Sequence, residues 1–133
     1  MTRKQNLLIL AAAVFVVVDV LHFADHLRQG RALGVGVTTP GTISLLLAIV
    51  VLVLAIRHSG IVAALATGLG AIVAIGVLAV HLLPPWGAYS DSYLPLHLDG
   101  LSYVSLAALS LSAATLALAG ARLLTSRRET ATA

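Results

Sequence analysis

Long apolar runs alternate with short polar stretches along the whole chain. The runs cover residues 7–27, 42–56, 61–83 and 97–124. About 20 apolar residues are needed for a helix to cross a hydrocarbon core of about 30 Å. The pattern therefore predicts four transmembrane helices and leaves no room for a separate soluble domain.

The connections between these runs carry helix-boundary signals. Pro40 suits the first turn of a helix, with Thr39 or Thr42 as the N-cap, so the second helix is expected to begin there. Pro84 and Pro85 should stop the third helix, because proline breaks the backbone hydrogen bonding of a helix. Since the connections are short, the predicted fold is an all-α bundle of four transmembrane helices running up-down-up-down.

The third run contains many glycine and alanine residues, among them Gly68, Gly70 and Gly76. Small residues allow membrane helices to approach each other closely. We therefore expect the third helix to be the most buried of the four. Its small residues are expected to serve packing rather than to leave space for a cofactor.

Four ionisable residues interrupt the first run: Asp19, His22, Asp25 and His26. Asp19, His22 and His26 fall within roughly 60° of one another on a helix, and Asp25 flanks the same face. An ionisable group in the bilayer costs at least ~2.5–3.5 kcal/mol, so these groups need partners inside the protein. They also stand where a signal peptide would need small residues for cleavage, which favours a permanent span.

The composition agrees with an integral membrane protein. Hydrophobic residues make up 59% of the chain and charged residues 10%, whereas charged residues are about 25% of a typical soluble domain. The absence of cysteine excludes disulfides and thiolate metal sites. Since nucleotide-binding motifs and basic–aromatic stripes are lacking, the expected partner is the lipid bilayer and not nucleic acid.

The basic residues predict the orientation. An even number of spans places both termini on one side, together with the turn between the second and third helices. That side carries most of the arginine and lysine, so the positive-inside rule predicts a multi-pass protein of the cell membrane with both termini cytoplasmic. The cytoplasmic set is Arg3, Lys4, Arg57, Arg122, Arg127 and Arg128, against Arg28 and Arg31 outside.

This topology gathers the histidines and aspartates in the outer leaflet. The second helix, which has no ionisable residue, is expected to contribute nothing to this layer. Neutral imidazole is the commonest protein metal ligand, and aspartates often orient such histidines. We therefore predict a site for zinc, copper or iron. Its expected ligands are His22, His26, His81 and His97, with Asp19, Asp25 and Asp99 as the surrounding acids.

Several functions remain open at this point. A metal site could serve metal handling or catalysis, with an ion-bound water as nucleophile and Asp19 or Asp25 as base. Haem held by His22 and His81 is a narrower alternative, with Arg28 and Arg31 at its propionates. A proton path or an accessory subunit of a larger complex or homo-oligomer are further alternatives. Simpler roles are helix capping for Asp99 and interface anchoring for the aromatic residues Trp86, Tyr89 and Tyr93.

Overall fold

Four α-helices make up most of the computed structural model, which describes residues 2–30, 33–96 and 98–132, with side chains as far as 126. They are α1 (Arg3–Arg28), α2 (Val35–Ile56), α3 (Val62–Leu82) and α4 (Gly100–Thr132). No strand occurs among these residues. Each helix is long and apolar enough to cross a membrane, which confirms the predicted all-α architecture.

The helices form a closed ring in chain order. Consecutive helices pack against each other, and α1 also packs against α4. As a result, α1 and α3 face each other across the axis of the bundle. The packing is most extensive between α3 and α4 and least extensive between α2 and α3.

The two halves of the bundle differ in chemistry. The half near the termini contains the apolar core, whereas the opposite half contains buried histidine, aspartate and serine side chains. Because lipid is as apolar as leucine, close van der Waals packing holds such helices together rather than exclusion from water. The core consists of Leu8, Ala11, Ala12, Phe15, Ala48, Val51, Ala55, Val62, Ala63, Ala66, Leu109, Ala113, Leu116 and Leu123.

Glycines give α3 and α4 their close approach. A Cβ atom at Gly70 would collide with the backbone of Ala113 and Ala117, and one at Gly120 would lie 2.7 Å from the carbonyl oxygen of Ala63. This confirms that small residues of α3 serve packing, but only on one face. A Cβ atom at Gly68 would meet nothing within 4 Å.

The expectation that α3 is the most buried helix is wrong. In an apolar stretch of 18 residues from each helix, 33% of the residues are buried in α1 and in α4, whereas 22% are buried in α3. The reason is that much of the α3 face towards α2 lines a cavity, so the contact between α2 and α3 is the least extensive of those between consecutive helices. Gly68 and Gly76 lie on this face, so part of the small-residue pattern leaves space open.

The second helix begins at Val35, before the predicted boundary at Thr42. Gly34 is its N-cap residue, and the Gly34 carbonyl accepts hydrogen bonds from the backbone N–H groups of Val37 and Thr38. Pro40 therefore lies inside the helix, where its missing N–H removes a single backbone hydrogen bond. The prediction that Pro40 marks the helix start is wrong.

The fourth helix begins at Gly100 rather than at residue 97, and it continues to Thr132, past the predicted end at 124. Asp99 accepts a hydrogen bond from the backbone N–H of Ser102 at 3.2 Å, which confirms the predicted capping role. The proposed ligand His97 lies outside the described residues.

Candidate metal centre

Two of the predicted ligands lie on one face of α1. His22 and His26 are four residues apart, so their side chains emerge one above the other on the helix. Their ring centroids are 4.8 Å apart, and the rings meet edge to face. Both side chains are buried, at 6% and 4% exposure. The predicted shared face is therefore present and turned into the bundle.

His81 reaches the same point from the opposite helix. It lies in the last turn of α3, and its ring centroid is 5.3 Å from that of His22 and 5.2 Å from that of His26. The three imidazoles thus form a nearly equilateral triangle near the axis of the bundle. One potential ligand atom from each ring lies within 4.8 Å of the others. We refer to His22, His26 and His81 as the histidine triad.

The connection between α3 and α4 folds back over the triad. The backbone N–H of Asp91 donates to the Val80 carbonyl at 3.1 Å, and that of Tyr93 donates to the His81 carbonyl at 2.7 Å. The last carbonyls of a helix have no partner within the helix. Since Pro84 and Pro85 have no N–H to donate, the donors come from further along the chain. This requirement brings residues 91–93 to the end of α3.

Asp91 contacts two members of the triad. Its carbonyl oxygen accepts a hydrogen bond from His81 Nδ1 at 2.9 Å. Its carboxylate oxygen Oδ2 lies 3.7 Å from Nδ1 of His81 and 3.7 Å from Nδ1 of His26. Sequence reasoning missed this residue. The available signal was the pair of prolines, which forces a later residue back to the helix end.

Tyr93 is buried beside the triad. Its side chain is 0% exposed, and its ring centroid lies 4.4 Å from that of His81. The prediction that Tyr93 anchors the protein at the membrane interface is therefore wrong. Trp86 and Tyr89, at 52% and 61% exposure, remain accessible as interface residues.

The hydrogen bonds at Nδ1 orient two of the rings. Because the Asp91 carbonyl can only accept, His81 carries its proton on Nδ1, and a neutral ring then presents the lone pair of Nε2. His22 Nδ1 lies 2.9 Å from the Ser105 hydroxyl of α4. Metal-binding histidines typically engage their other ring nitrogen in this way, which fixes the ring orientation.

Asp25 and Asp99 belong to a neighbouring ion-pair cluster. Arg28 donates to Asp25 Oδ1 at 2.8 Å and to the two carboxylate oxygens of Asp99 at 2.7 and 2.9 Å. Gln29 donates to the other oxygen of Asp25 at 2.8 Å. The hydrogen bonds from Arg28 hold the pKa of Asp99 below its usual value. Both acids thus interact with Arg28.

Asp19 lies one turn deeper on α1 and interacts with α2. The Ser44 hydroxyl donates to Asp19 Oδ2 at 3.4 Å, and the Asp19 side chain is buried. The expectation that the second helix contributes nothing to the polar layer is therefore wrong. Ionisable residues alone do not reveal this contact, because α2 contributes a serine hydroxyl to it.

The triad is suited to one small ion rather than to haem. A porphyrin held by His22 and His81 would have to lie between their rings, yet the two ring centroids are 5.3 Å apart and the ring of His26 packs beside both. Catalytic zinc sites use three protein ligands and keep a fourth position open, and the three imidazoles match that number of ligands. Comparisons of this chain with protein-family models, curated proteins and solved structures found no match.

Proposed function

We propose that this chain is a small multi-pass membrane protein that binds one divalent transition-metal ion through His22, His26 and His81. The observation that carries the proposal is the convergence of three buried imidazoles from α1 and α3, with one nitrogen of each within 4.8 Å of the others. Nitrogen ligands suit zinc, copper or iron. Asp91 would offset part of the ion's charge, which is costly to bury without a partner.

Binding requires only a small closure of the rings. A tetrahedral zinc ion with bonds of about 2.0–2.1 Å would place its nitrogen ligands about 3.3 Å apart. Ligand atoms separated by up to 4.8 Å would then move together by no more than roughly 1.5 Å, within reach of side-chain rotation. Three protein ligands leave a fourth position, which in zinc enzymes takes water or substrate.

The proposal is tested by the metal content of the purified protein. We expect the full chain, stripped with a chelator and returned to Zn²⁺, to retain about one ion per chain. His58→Asn is the matched control, because it removes a histidine in the turn before α3, and asparagine tolerates the positive φ of 54° found there. Failure of the wild type to retain Zn²⁺ would contradict the metal site and favour an accessory-subunit role.

A variant of Asp91 tests the role assigned to the connection. Asp91→Asn keeps the backbone carbonyl that accepts from His81 but removes the charge near His26 and His81. We expect Zn²⁺ affinity to fall about 10–100-fold, as for other losses of groups that orient metal ligands. Tyr89→Phe, in the same connection, removes only the hydroxyl of an exposed side chain and should leave the affinity unchanged. Equal affinities in both variants would mean that Asp91 is only a structural residue.

We also propose that the triad faces the exterior and that both termini are cytoplasmic. The basis is the excess of arginine and lysine at the end of the bundle opposite the triad. Because the chain has no native cysteine, single cysteines report location cleanly. An impermeant thiol reagent added to intact cells should label Ala88→Cys, in the connection over the triad, and not Gly60→Cys, in the opposite turn. The reverse pattern would invert the orientation.

A further inference from the structure

A cavity of about 850 Å³ adjoins the triad and runs between α2 and α3. Its wall on α3 extends from Ala64 to His81, which corresponds to about 25 Å along the helix axis. Small-molecule sites in proteins have volumes of about 300–1,000 Å³. The cavity is therefore large enough for a ligand that extends from the triad deep into the apolar half of the bundle.

Polar and apolar groups are segregated along this cavity. The polar lining lies at one end, where α1, α2 and the end of α3 meet. Leu47, Val50, Val51, Leu65 and Leu69 line the other end, so the wall there is hydrocarbon. Such a wall fits a molecule with one polar head and a long apolar chain. The polar members are Asp19, His22, His26, Thr38, Thr42, Ser44 and His81.

The cavity communicates with the lipid phase. Several residues that line it are also exposed on the outer surface of the bundle, including Ile43 of α2 and Ile72 of α3, at 51% and 72% exposure. The opening coincides with the least extensive helix contact, between α2 and α3. An amphiphile in the surrounding membrane can therefore reach the cavity without crossing water.

The chemistry of the polar end favours a neutral headgroup. Asp19 lines the cavity as a buried acid that already accepts a hydrogen bond from Ser44. Together with the Asp91 carboxylate beside His26 and His81, an ionised Asp19 balances the charge of a divalent ion, so a further anion would leave the site with a net negative charge in a medium of low dielectric constant. A hydroxyl group is neutral and fits both the ion and Asp19. Its oxygen can bind a metal ion while its hydrogen is donated to a carboxylate.

We propose that the cavity binds a long-chain alcohol from the membrane, with its hydroxyl oxygen on the ion held by the triad and its O–H donated to Asp19. This inference rests on the proposed metal site, since the ion supplies half of the headgroup recognition. The chain would then lie between α2 and α3, along the face that carries Gly68 and Gly76. The fourth ligand of the ion would then be a molecule that comes from the membrane.

The test uses the full chain in lipid nanodiscs, loaded with Zn²⁺, and a long-chain primary alcohol that carries a photoreactive diazirine. We expect the alcohol to label wild type, and the carboxylic acid of the same chain length to label it at least about tenfold less, a difference of ~1.4 kcal/mol. Gly68→Leu, which fills the cavity where a Cβ atom meets nothing within 4 Å, should lower labelling by the alcohol by about tenfold or more. Ala107→Leu, on the exposed face of α4, should label like wild type.

Metal content is measured on the same samples, which separates this inference from the proposed function. If wild type retains Zn²⁺ but Gly68→Leu labels as strongly as wild type, the lipid site is overturned and the metal site stands. Equal or stronger labelling by the acid overturns the headgroup assignment, and a wild type that neither probe labels overturns the lipid site. If wild type retains no Zn²⁺ but is still labelled, and Gly68→Leu lowers that labelling, then the alcohol binds without the ion and the proposed contact between hydroxyl and metal is overturned.

Discussion

Replacing His81 with glutamine is expected to lower Zn²⁺ affinity on the order of 10²–10³-fold. Structural zinc sites contribute about 10–16 kcal/mol through four ligands, so the loss of one ligand costs roughly 2.5–4 kcal/mol. His81 is the only triad member on α3, and its orientation is fixed by the Asp91 carbonyl. Glutamine retains most of the side-chain volume against Tyr93, so the loss should not reflect a packing defect.

Competition with a chromogenic chelator measures this change directly. His58→Asn should retain the wild-type affinity, because His58 lies in the turn at the other end of the bundle. A second readout is the melting temperature with and without Zn²⁺, because an ion that binds only the folded state raises it. An unchanged affinity in His81→Gln would rule out the triad as the metal site and leave the convergence of the rings a packing feature.

The helical pattern of the sequence predicts that His22, His26 and His81 come together, as they do, whereas the fourth expected ligand, His97, lies outside the described residues. His22 and His26 share a face because of their spacing, and His81 comes to the same end of the bundle because the third span runs parallel to the first. These are consequences of helix geometry and of alternating direction, which short connections impose. The spacing of residues on a helix and the direction of each span can both be obtained from a single sequence.

The surroundings of the triad could not be predicted in the same way. Asp91 and Tyr93 reach it because the carbonyls at the end of α3 need donors that Pro84 and Pro85 lack. Arg28 binds both Asp25 and Asp99, which were expected near the histidines. In each case a polar group has several potential partners. Which one it binds depends on distances in the folded protein, and these cannot be obtained from the periodicity of the sequence.

The cavity was also missed, because glycine has two opposite roles on α3. Gly70 permits contact with α4, whereas Gly68 leaves space that no neighbour fills. In the sequence the two positions look alike. Only the direction in which each faces, set by the rotation of the helix within the bundle, distinguishes packing from open volume.

This difference leads to a matched pair of variants. We expect Gly70→Ala to destabilise the bundle by about 1–3 kcal/mol, the usual range for overpacking, because its methyl group would collide with the backbone of Ala113 and Ala117. Gly68→Ala adds the same methyl group on the same helix but into open space. Alanine favours a helix over glycine by up to ~1 kcal/mol at both positions, so the difference between the variants isolates the collision.

Unfolding in one detergent, followed by circular dichroism, compares the two variants under identical conditions. Equal melting temperatures would contradict the assigned contact between α3 and α4. The same pair tests whether this contact positions the metal site, because α3 carries His81 and α4 carries Ser105, which binds His22. If α4 is forced away from α3, the rings separate, so Zn²⁺ affinity should fall in Gly70→Ala and remain at the wild-type value in Gly68→Ala.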